Sequence, residues 1–327
     1  YDGARRFATG LIALGIKPGD RVGLYLPNVP HYLATYYGAM MTGAIAVNFS
    51  PLYTVEELAH QAEDSEIRIL VTMSAKPLFG NARAVLDRCP FLEKLIVGSV
   101  AGALPTGKSI LYRLFKRASE EPVPHDPRIL HFSAVIANDG SAAMPPIDPE
   151  RDLALLQYTG GTTGRPKGAM LTHQNLTANA RQVNLMDPHR GKEDRILGVL
   201  PFFHVFANTA VLNRTVSNGG EIVMLPRFDS RQALAAIART RCTALPGVPT
   251  MFQALLDCPD LNRTDLSSLR VCISGGGPLP LSLKGRFENA TGAKLVEGYG
   301  LTESSGVVSA NPYEQPGKAG SIGQPIP

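Results

Sequence analysis

Residues 158–168 read Tyr-Thr-Gly-Gly-Thr-Thr-Gly-Arg-Pro-Lys-Gly. They follow Leu153-Ala154-Leu155-Leu156, an apolar run predicted to be a buried strand, and precede Leu171 to Val183, predicted to be a helix with Thr172 as its N-cap. Glycines let backbone N–H groups turn inward around a phosphate, threonine hydroxyls add donors, and Lys167 adds positive charge. The alternative is an ordinary turn with a surface lysine. Pro166 before the lysine and Gly168 after it exclude a Walker A loop, and Gly160-Gly161-Thr162-Thr163-Gly164 does not supply the Gly-x-Gly-x-x-Gly of a dinucleotide fingerprint.

Outward from this stretch, strands alternate with helices, the pattern of parallel sheets covered on both faces. Towards the N-terminus the spacing predicts a helix over Asp2 to Leu14, a strand over Arg21 to Leu26 and a helix from His31 to Ala44. Thr54-Val55-Glu56-Glu57 forms a capping box for a helix reaching Glu63, and strand, helix and strand follow at Ile67 to Met73, Asn81 to Arg88 and Leu92 to Val97. The proline-rich 101–152 segment reads as an irregular connection. Within it, Ile110 to Arg117 has one apolar and one basic side and reads as a short helix packed on its own domain, with an anionic membrane surface as the alternative.

Towards the C-terminus, strands are predicted at Ile196 to Leu200, Glu221 to Leu225, Thr243 to Leu245, Arg270 to Ser274 and Lys294 to Glu297. Helices fall between them at Phe206 to Val216, Arg231 to Arg239 with Ser230 as cap, Pro249 to Leu256 and Leu281 to Ala290. The fold class is therefore α/β with two lobes: residues 19–189 form the first, and 1–18 with 190–310 the second.

Composition is that of a globular protein, 44% hydrophobic and 18% charged, which excludes a fibrous or disordered chain. A formal net charge of +4 with no block of like charges gives no case for nucleic acid. Cys89, Cys242, Cys258 and Cys272 are scattered, which suggests reduced thiols in a cytosolic protein and neither a zinc site nor a disulfide framework. The seven histidines lack metal-ligand spacing, so any metal is expected to be a hard ion held by carboxylate and phosphate oxygens. No signal peptide is seen, and prolines break up the uncharged 22–55 stretch, which excludes a spanning helix there.

Three further stretches bear chemistry. Glu297-Gly298-Tyr299-Gly300-Leu301-Thr302-Glu303 follows a predicted strand: Thr302 offers a hydroxyl to a phosphate, Glu303 an oxygen to Mg²⁺, and Tyr299 a ring to a nucleobase. Ser274-Gly275-Gly276-Gly277-Pro278 also ends a strand and leaves room for a flat base, although a plain turn explains the glycines equally well. In Pro201-Phe202-Phe203-His204-Val205-Phe206, a histidine among aromatics reads first as a core residue. Ligands gather at the carboxyl ends of parallel strands, where the two glycine-rich stretches and the 158–168 loop are all placed.

The 158–168 loop resembles the phosphate-binding loop of the AMP-forming acyl-CoA synthetases, with Gly160 where serine is commoner. Leu156 to Gly164 and Gly298 to Glu303 are similar to the two main signatures of the long-chain fatty acid–CoA ligases, and Val47-Asn48, Asn311-Pro312-Tyr313 and Gly320-Ser321-Ile322-Gly323 fit that branch. The resemblance implies ATP-dependent activation of a long-chain fatty acid to an acyl-adenylate and then to acyl-CoA, with Mg²⁺ and with coenzyme A as co-substrate. It implies that Thr159, Gly160, Gly161, Thr162, Thr163, Gly164 and Lys167 hold the β- and γ-phosphates. Gly275, Gly276, Gly277, Pro278, Glu297, Gly298, Tyr299, Gly300 and Leu301 would surround adenine, with Thr302 at the α-phosphate and Glu303 at the metal. His204, Val205, Phe206, Gly247, Val248 and Met251 would border the acyl channel, and His204 becomes a catalytic candidate beside Lys167, Thr302 and Glu303. The ribose aspartate, hinge and catalytic lysine of complete members do not appear before Pro327, so the chain is expected to be an N-terminal portion, inactive alone, whose residues 311–327 begin a barrel subdomain. An aryl or amino acid adenylating enzyme and a non-catalytic nucleotide- or lipid-binding module stay open as alternatives. So do a homodimer and peripheral contact with the inner face of a membrane.

Overall fold

The computed structural model describes residues 1–104, 107, 109, 110, 112, 120–159, 166–187, 191, 193–313, 317, 318 and 320–327. The chain divides by its internal contacts into two units, Tyr1–His173 and Gln174–Pro327.

In the first unit the principal described elements, short helical turns at Ala101–Ala103 and Phe132–Val135 aside, are α1 (Asp2–Ala13), β1 (Arg21–Leu24), α2 (Pro30–Met41), β2 (Ile45–Asn48), α3 (Val55–Ser65), β3 (Ile69–Met73), α4 (Lys76–Arg88), β4 (Lys94–Gly98), β5 (Ile129–His131), β6 (Leu153–Thr159) and β7 (Lys167–Thr172). The strands form one seven-stranded sheet in the order β5-β4-β3-β1-β2-β6-β7, parallel throughout except for β7. Strands covered by helices on both faces are mostly apolar along their length, and β2 and β3 are buried at every residue. Gly23 in β1 is required by closeness: a β-carbon there would lie 2.8 Å from Leu70 Cδ1 and 2.9 Å from Phe49 Cε2. The capping box is present, with Thr54 Oγ1 accepting from Glu57 N–H at 3.3 Å and Glu57 Oε2 accepting from Thr54 N–H at 2.8 Å.

Four features of this unit depart from the sequence reading. Residues 1–18 group with it because α1 packs on α2, where the missing side chain of Gly38 admits the Ala4 carbonyl to 2.9 Å from the position a β-carbon would take. The 101–152 connection contains β5, which adds to β4 through Leu95↔Ile129. Helix α4 begins at Lys76, since Pro77 in its first turn needs no N–H partner. The stretch after the glycine-rich loop is first a strand: β7 pairs antiparallel with β6 from Thr159↔Lys167 to Leu153↔Thr172, and the helix starts only at His173. The 110–117 segment lies outside the described residues except for Ile110 and Tyr112.

In the second unit the described elements are α5 (His173–Met186), β8 (Arg195–Gly198), an interrupted helix α6 over 205–218, β9 (Glu221–Met224), α7 (Ser230–Thr240), β10 (Ala244–Gly247), α8 (Pro249–Leu256), β11 (Val271–Ser274), α9 (Leu281–Thr291), β12 (Lys294–Leu301), β13 (Gly306–Ala310) and β14 (Gln324–Pro325). The sheet order is β14-β13-β12-β11-β10-β8-β9, parallel from β9 to β12 and antiparallel across β12–β13 and β13–β14. Asp229 caps α7 through Gln232 N–H at 2.9 Å, one residue before the expected Ser230. β12 runs four residues beyond Glu297 because its far half pairs with β13. Within residues 311–327, Gln324–Pro325 add to this sheet as β14, with Ile326 N–H donating to Val308 O at 3.0 Å.

Helix α6 is α-helical at Val205–Ala207, π-helical at Asn208–Asn213 and α-helical again at Arg214–Asn218, ending at Gly219 with φ 69°. Its buried Arg214 is ion-paired with Asp187 and, at 3.3 Å, with Asp194; Arg270 joins at 2.5 Å from Asp194. Among the described residues, no helix is long and apolar enough to cross a membrane.

Candidate active site

Strand β11 delivers the chain into a turn, Gly275 to Pro278, beside the far half of β12. Gly276 takes φ 75°, which favours glycine, and a β-carbon at Gly275 would lie 3.0 Å from the ring of Phe206. Glu297 ties the two stretches together, its Oε1 accepting from Leu279 N–H at 3.0 Å. A cavity of about 70 Å³ opens at this junction, with room for several water molecules. Of the residues expected to bind nucleotide or acyl chain, Gly275, Gly276, Gly298, Tyr299, Gly300, His204, Val205 and Phe206 line this one cavity. Gly277, Pro278, Glu297 and Leu301 belong to the same turn and strand without lining it, and neither do Gly247, Val248 and Met251; Val248 Cγ1 lies 3.5 Å from where a β-carbon at Gly276 would sit. The opposite wall is Val183 and Met186 from α5 with Tyr313 and Ile326. Val183 and Met186 stand three apart on a helix face, a spacing visible in the sequence, whereas nothing local marks Tyr313 or Ile326 as lining residues.

His204 is the N-cap of α6. Its Nδ1 accepts from Phe206 N–H at 3.2 Å, so the neutral ring carries its proton on Nε2. Part of the ring reaches solvent, but desolvation by the surrounding protein holds its pKa below the ordinary histidine value. The imidazole is thus a neutral donor at the cavity wall.

Beyond the cavity, β12 and β13 are joined by a turn over 302–305. Thr302 is half-buried and Glu303 exposed, and Ser304 Oγ donates to Leu301 O at 2.9 Å. Among the described residues no group of three His, Cys, Asp or Glu side chains is placed to hold a metal, so Glu303 offers a single carboxylate.

In the first unit, Thr159 and Lys167 face each other across the base of the β6–β7 hairpin, with Lys167 exposed. Gly160, Gly161, Thr162, Thr163 and Gly164 lie outside the described residues. Gly168 sits under the Tyr158 ring, 3.2 Å from where its own β-carbon would be, and Tyr158 donates its hydroxyl to Asp64. Desolvation first, and the bond to that carboxylate second, push the Tyr158 pKa up. The element that starts at Lys167 is strand β7, and the predicted helix begins after it at His173.

Compared with known proteins, the chain matches the AMP-binding enzyme family over residues 1–327. It is 40% identical to a long-chain-fatty-acid–CoA ligase of Bacillus subtilis (strain 168), an alignment covering 99% of this chain and 58% of that protein. The solved long-chain-fatty-acid-CoA ligase FadD1 of Archaeoglobus fulgidus superposes with a TM-score of 0.81 at 27% identity, over 99% of this chain and 61% of that one. An anthranilate CoA ligase, AuaEII, solved with anthranoyl-AMP, shares the fold with a TM-score of 0.85 at 24% identity, over 99% of this chain and 57% of that one.

Proposed function

We propose that this chain, which belongs to the AMP-binding enzyme family, supplies the nucleotide- and acyl-binding part of a ligase that converts a long-chain fatty acid to its CoA thioester. The observation that carries this reading is the single cavity at which the Gly275–Gly276 turn, the Gly298–Gly300 strand and the His204–Phe206 helix start come together. Its walls are mostly apolar, as an acyl chain requires, and its glycines leave flat space, as a nucleobase requires. The relative's name supplies the chain length: the Bacillus protein is a long-chain ligase, and this chain spans 58% of its length.

In the proposed reaction the fatty carboxylate attacks the α-phosphorus of ATP, pyrophosphate departs, and the thiol of coenzyme A then displaces AMP from the acyl-adenylate. Neither step needs a protein nucleophile; both need donors and positive charge placed where negative charge develops. His204 donates Nε2–H to the acyl carboxylate or carbonyl, while protonation at Nδ1 would break the bond that its ring accepts from Phe206 N–H. Thr302 donates to the α-phosphate, and Thr159 to Lys167 hold the departing pyrophosphate. Mg²⁺, arriving with the nucleotide, neutralises phosphate charge. The single carboxylate of Glu303 fits a metal whose other ligands are phosphate and water oxygens. Peripheral membrane contact is the expected source of so insoluble a substrate.

The test is ATP–pyrophosphate exchange by a protein in which this chain is extended to its relatives' full length, driven by carboxylates of graded chain length. Exchange with palmitate supports the proposal. Exchange driven only by aryl or amino acids selects the other adenylating chemistry, and none with any carboxylate leaves a binding module.

A further inference from the structure

We infer that Asn179 on α5 and Thr209 on α6 are positioning residues that clamp the β12–β13 turn and so fix Thr302 and Glu303; their effect on catalysis rests on the adenylation reading above, while the clamp itself rests on geometry. Neither residue lines the cavity. Thr209 is fully buried in the π-helical segment, and its hydroxyl donates to the Ser305 carbonyl at 2.5 Å. Asn179 is 5% exposed and pairs with Val307 as a neighbouring strand would: its Nδ2 donates to Val307 O at 2.7 Å and its Oδ1 accepts from Val307 N–H at 3.0 Å. Between the two contacts lies Gly306, at φ 130°, where a β-carbon would stand 2.7 Å from Thr209 Oγ1 and 3.2 Å from Asn179 Oδ1. The clamp therefore closes on bare backbone. Ser305 is held at φ 66°, a left-handed conformation that a non-glycine residue keeps only where its surroundings dictate it.

A turn of four residues fixed at Ser305 and Val307 has little freedom left at Thr302 and Glu303. A buried hydroxyl inside a helix normally bonds its own helix, so the choice of the Ser305 carbonyl instead marks Thr209 as a cross-brace. The π-helical stretch is a local irregularity of a kind that recurs at functional sites, and Ala210, next to Thr209 within it, forms part of the cavity wall.

The experiment compares Thr209→Val, which removes the hydroxyl at nearly constant shape, with Thr209→Ser, which keeps it, and adds Asn179→Asp, which keeps the acceptor but not the donor. Two readouts are taken: hydrogen–deuterium exchange of amides 302–307 in this chain, and the magnesium dependence of ATP–pyrophosphate exchange in the extended protein. For Thr209→Val we expect about tenfold faster amide exchange in the turn, about tenfold lower kcat, and a higher magnesium requirement, the size a lost buried hydrogen bond gives. The KM for the fatty acid should stay within about twofold, and Thr209→Ser should restore all three. Turn exchange unchanged in both Thr209→Val and Asn179→Asp overturns the inference. So does a Thr209→Val rate that falls only in step with the melting temperature and is not restored by serine. If the unsubstituted protein exchanges pyrophosphate with no carboxylate, the adenylation reading fails, and the amide-exchange comparison still decides the clamp.

Discussion

The β6–β7 hairpin of the first unit and the β12–β13 hairpin of the second each cap the end of a parallel run of strands, and each carries residues assigned here to phosphate chemistry. They are supported differently. The first hairpin ends its sheet: β7 has no strand on its far side among the described residues and Met170 is 64% exposed, while its side-chain ties, Tyr158 to Asp64 and Asn48 Nδ2 to Gln157 Oε1 at 2.9 Å, both fall on β6. The second is enclosed, with β14 beyond β13 and with Asn179 and Thr209 behind the turn. Under the proposed reaction, a loop that wraps a polyphosphate and releases it gains from a loose frame. Under the same proposal, a turn that presents the Thr302 hydroxyl and the Glu303 carboxylate gains from a stiff one.

Substitutions in the buried parts of the second unit should have the largest effects. Arg214→Ala removes the buried guanidinium that pairs with Asp187 and Asp194 and should lower stability by about 3–5 kcal/mol, measured by denaturant unfolding. Gly300→Ala drives a β-carbon into the Gly306 carbonyl and should cost about 3 kcal/mol, whereas Gly168→Ala in the first hairpin meets only the Tyr158 ring and should cost less than about 1 kcal/mol. Equal losses at the two glycines would erase the contrast between rigid and loose frames.

Acid should act on the first unit through His31, which packs edge-on against Phe132 at 4.5 Å and whose pKa burial lowers to about 4. The unfolded chain takes up that proton near pH 6.5 and the folded chain only near 4. Stability is therefore complete above pH 6.5 and falls by up to about 3 kcal/mol as pH drops through that window. A His31→Asn variant should flatten the profile, and an unchanged slope would show another group responsible. The smallest change is Tyr158→Phe, which frees Asp64 and should cost no more than about 1 kcal/mol while weakening the binding of a non-hydrolysable ATP analogue.

The alternation of apolar runs with amphipathic segments made most helices and parallel strands legible, and the Thr54–Glu57 capping box placed the start of α3 to the residue. Cavity glycines were legible because small residues at strand ends have a local signature. The two hairpins were not, since Lys-Gly-Ala-Met-Leu-Thr lacks a clear two-residue alternation and becomes a strand only by pairing with β6. β5 was hidden by its brevity among prolines. Residues 1–18 were misassigned because a helix pattern does not say which sheet the helix will cover, and here a glycine on α2 decides it. Asn179 and Thr209 gave no signal: polar residues in helices read as surface until their partners, about a hundred residues away, are known.

The pairing of β6 with β2 joins Ala46 to Leu155 across most of the first unit's length. Contacts of such separation form late, because the chain between them must be gathered first, whereas a hairpin closes within microseconds. The glycine-rich loop should thus acquire its strand-flanked form early and dock only when β2 is ready to receive β6. During synthesis the sheet formed by β1 to β4 would wait with one side open until residue 157 has emerged. Pulse-labelled hydrogen exchange reads this order directly: amides of the β6–β7 ladder should gain protection before those that bond β6 to β2.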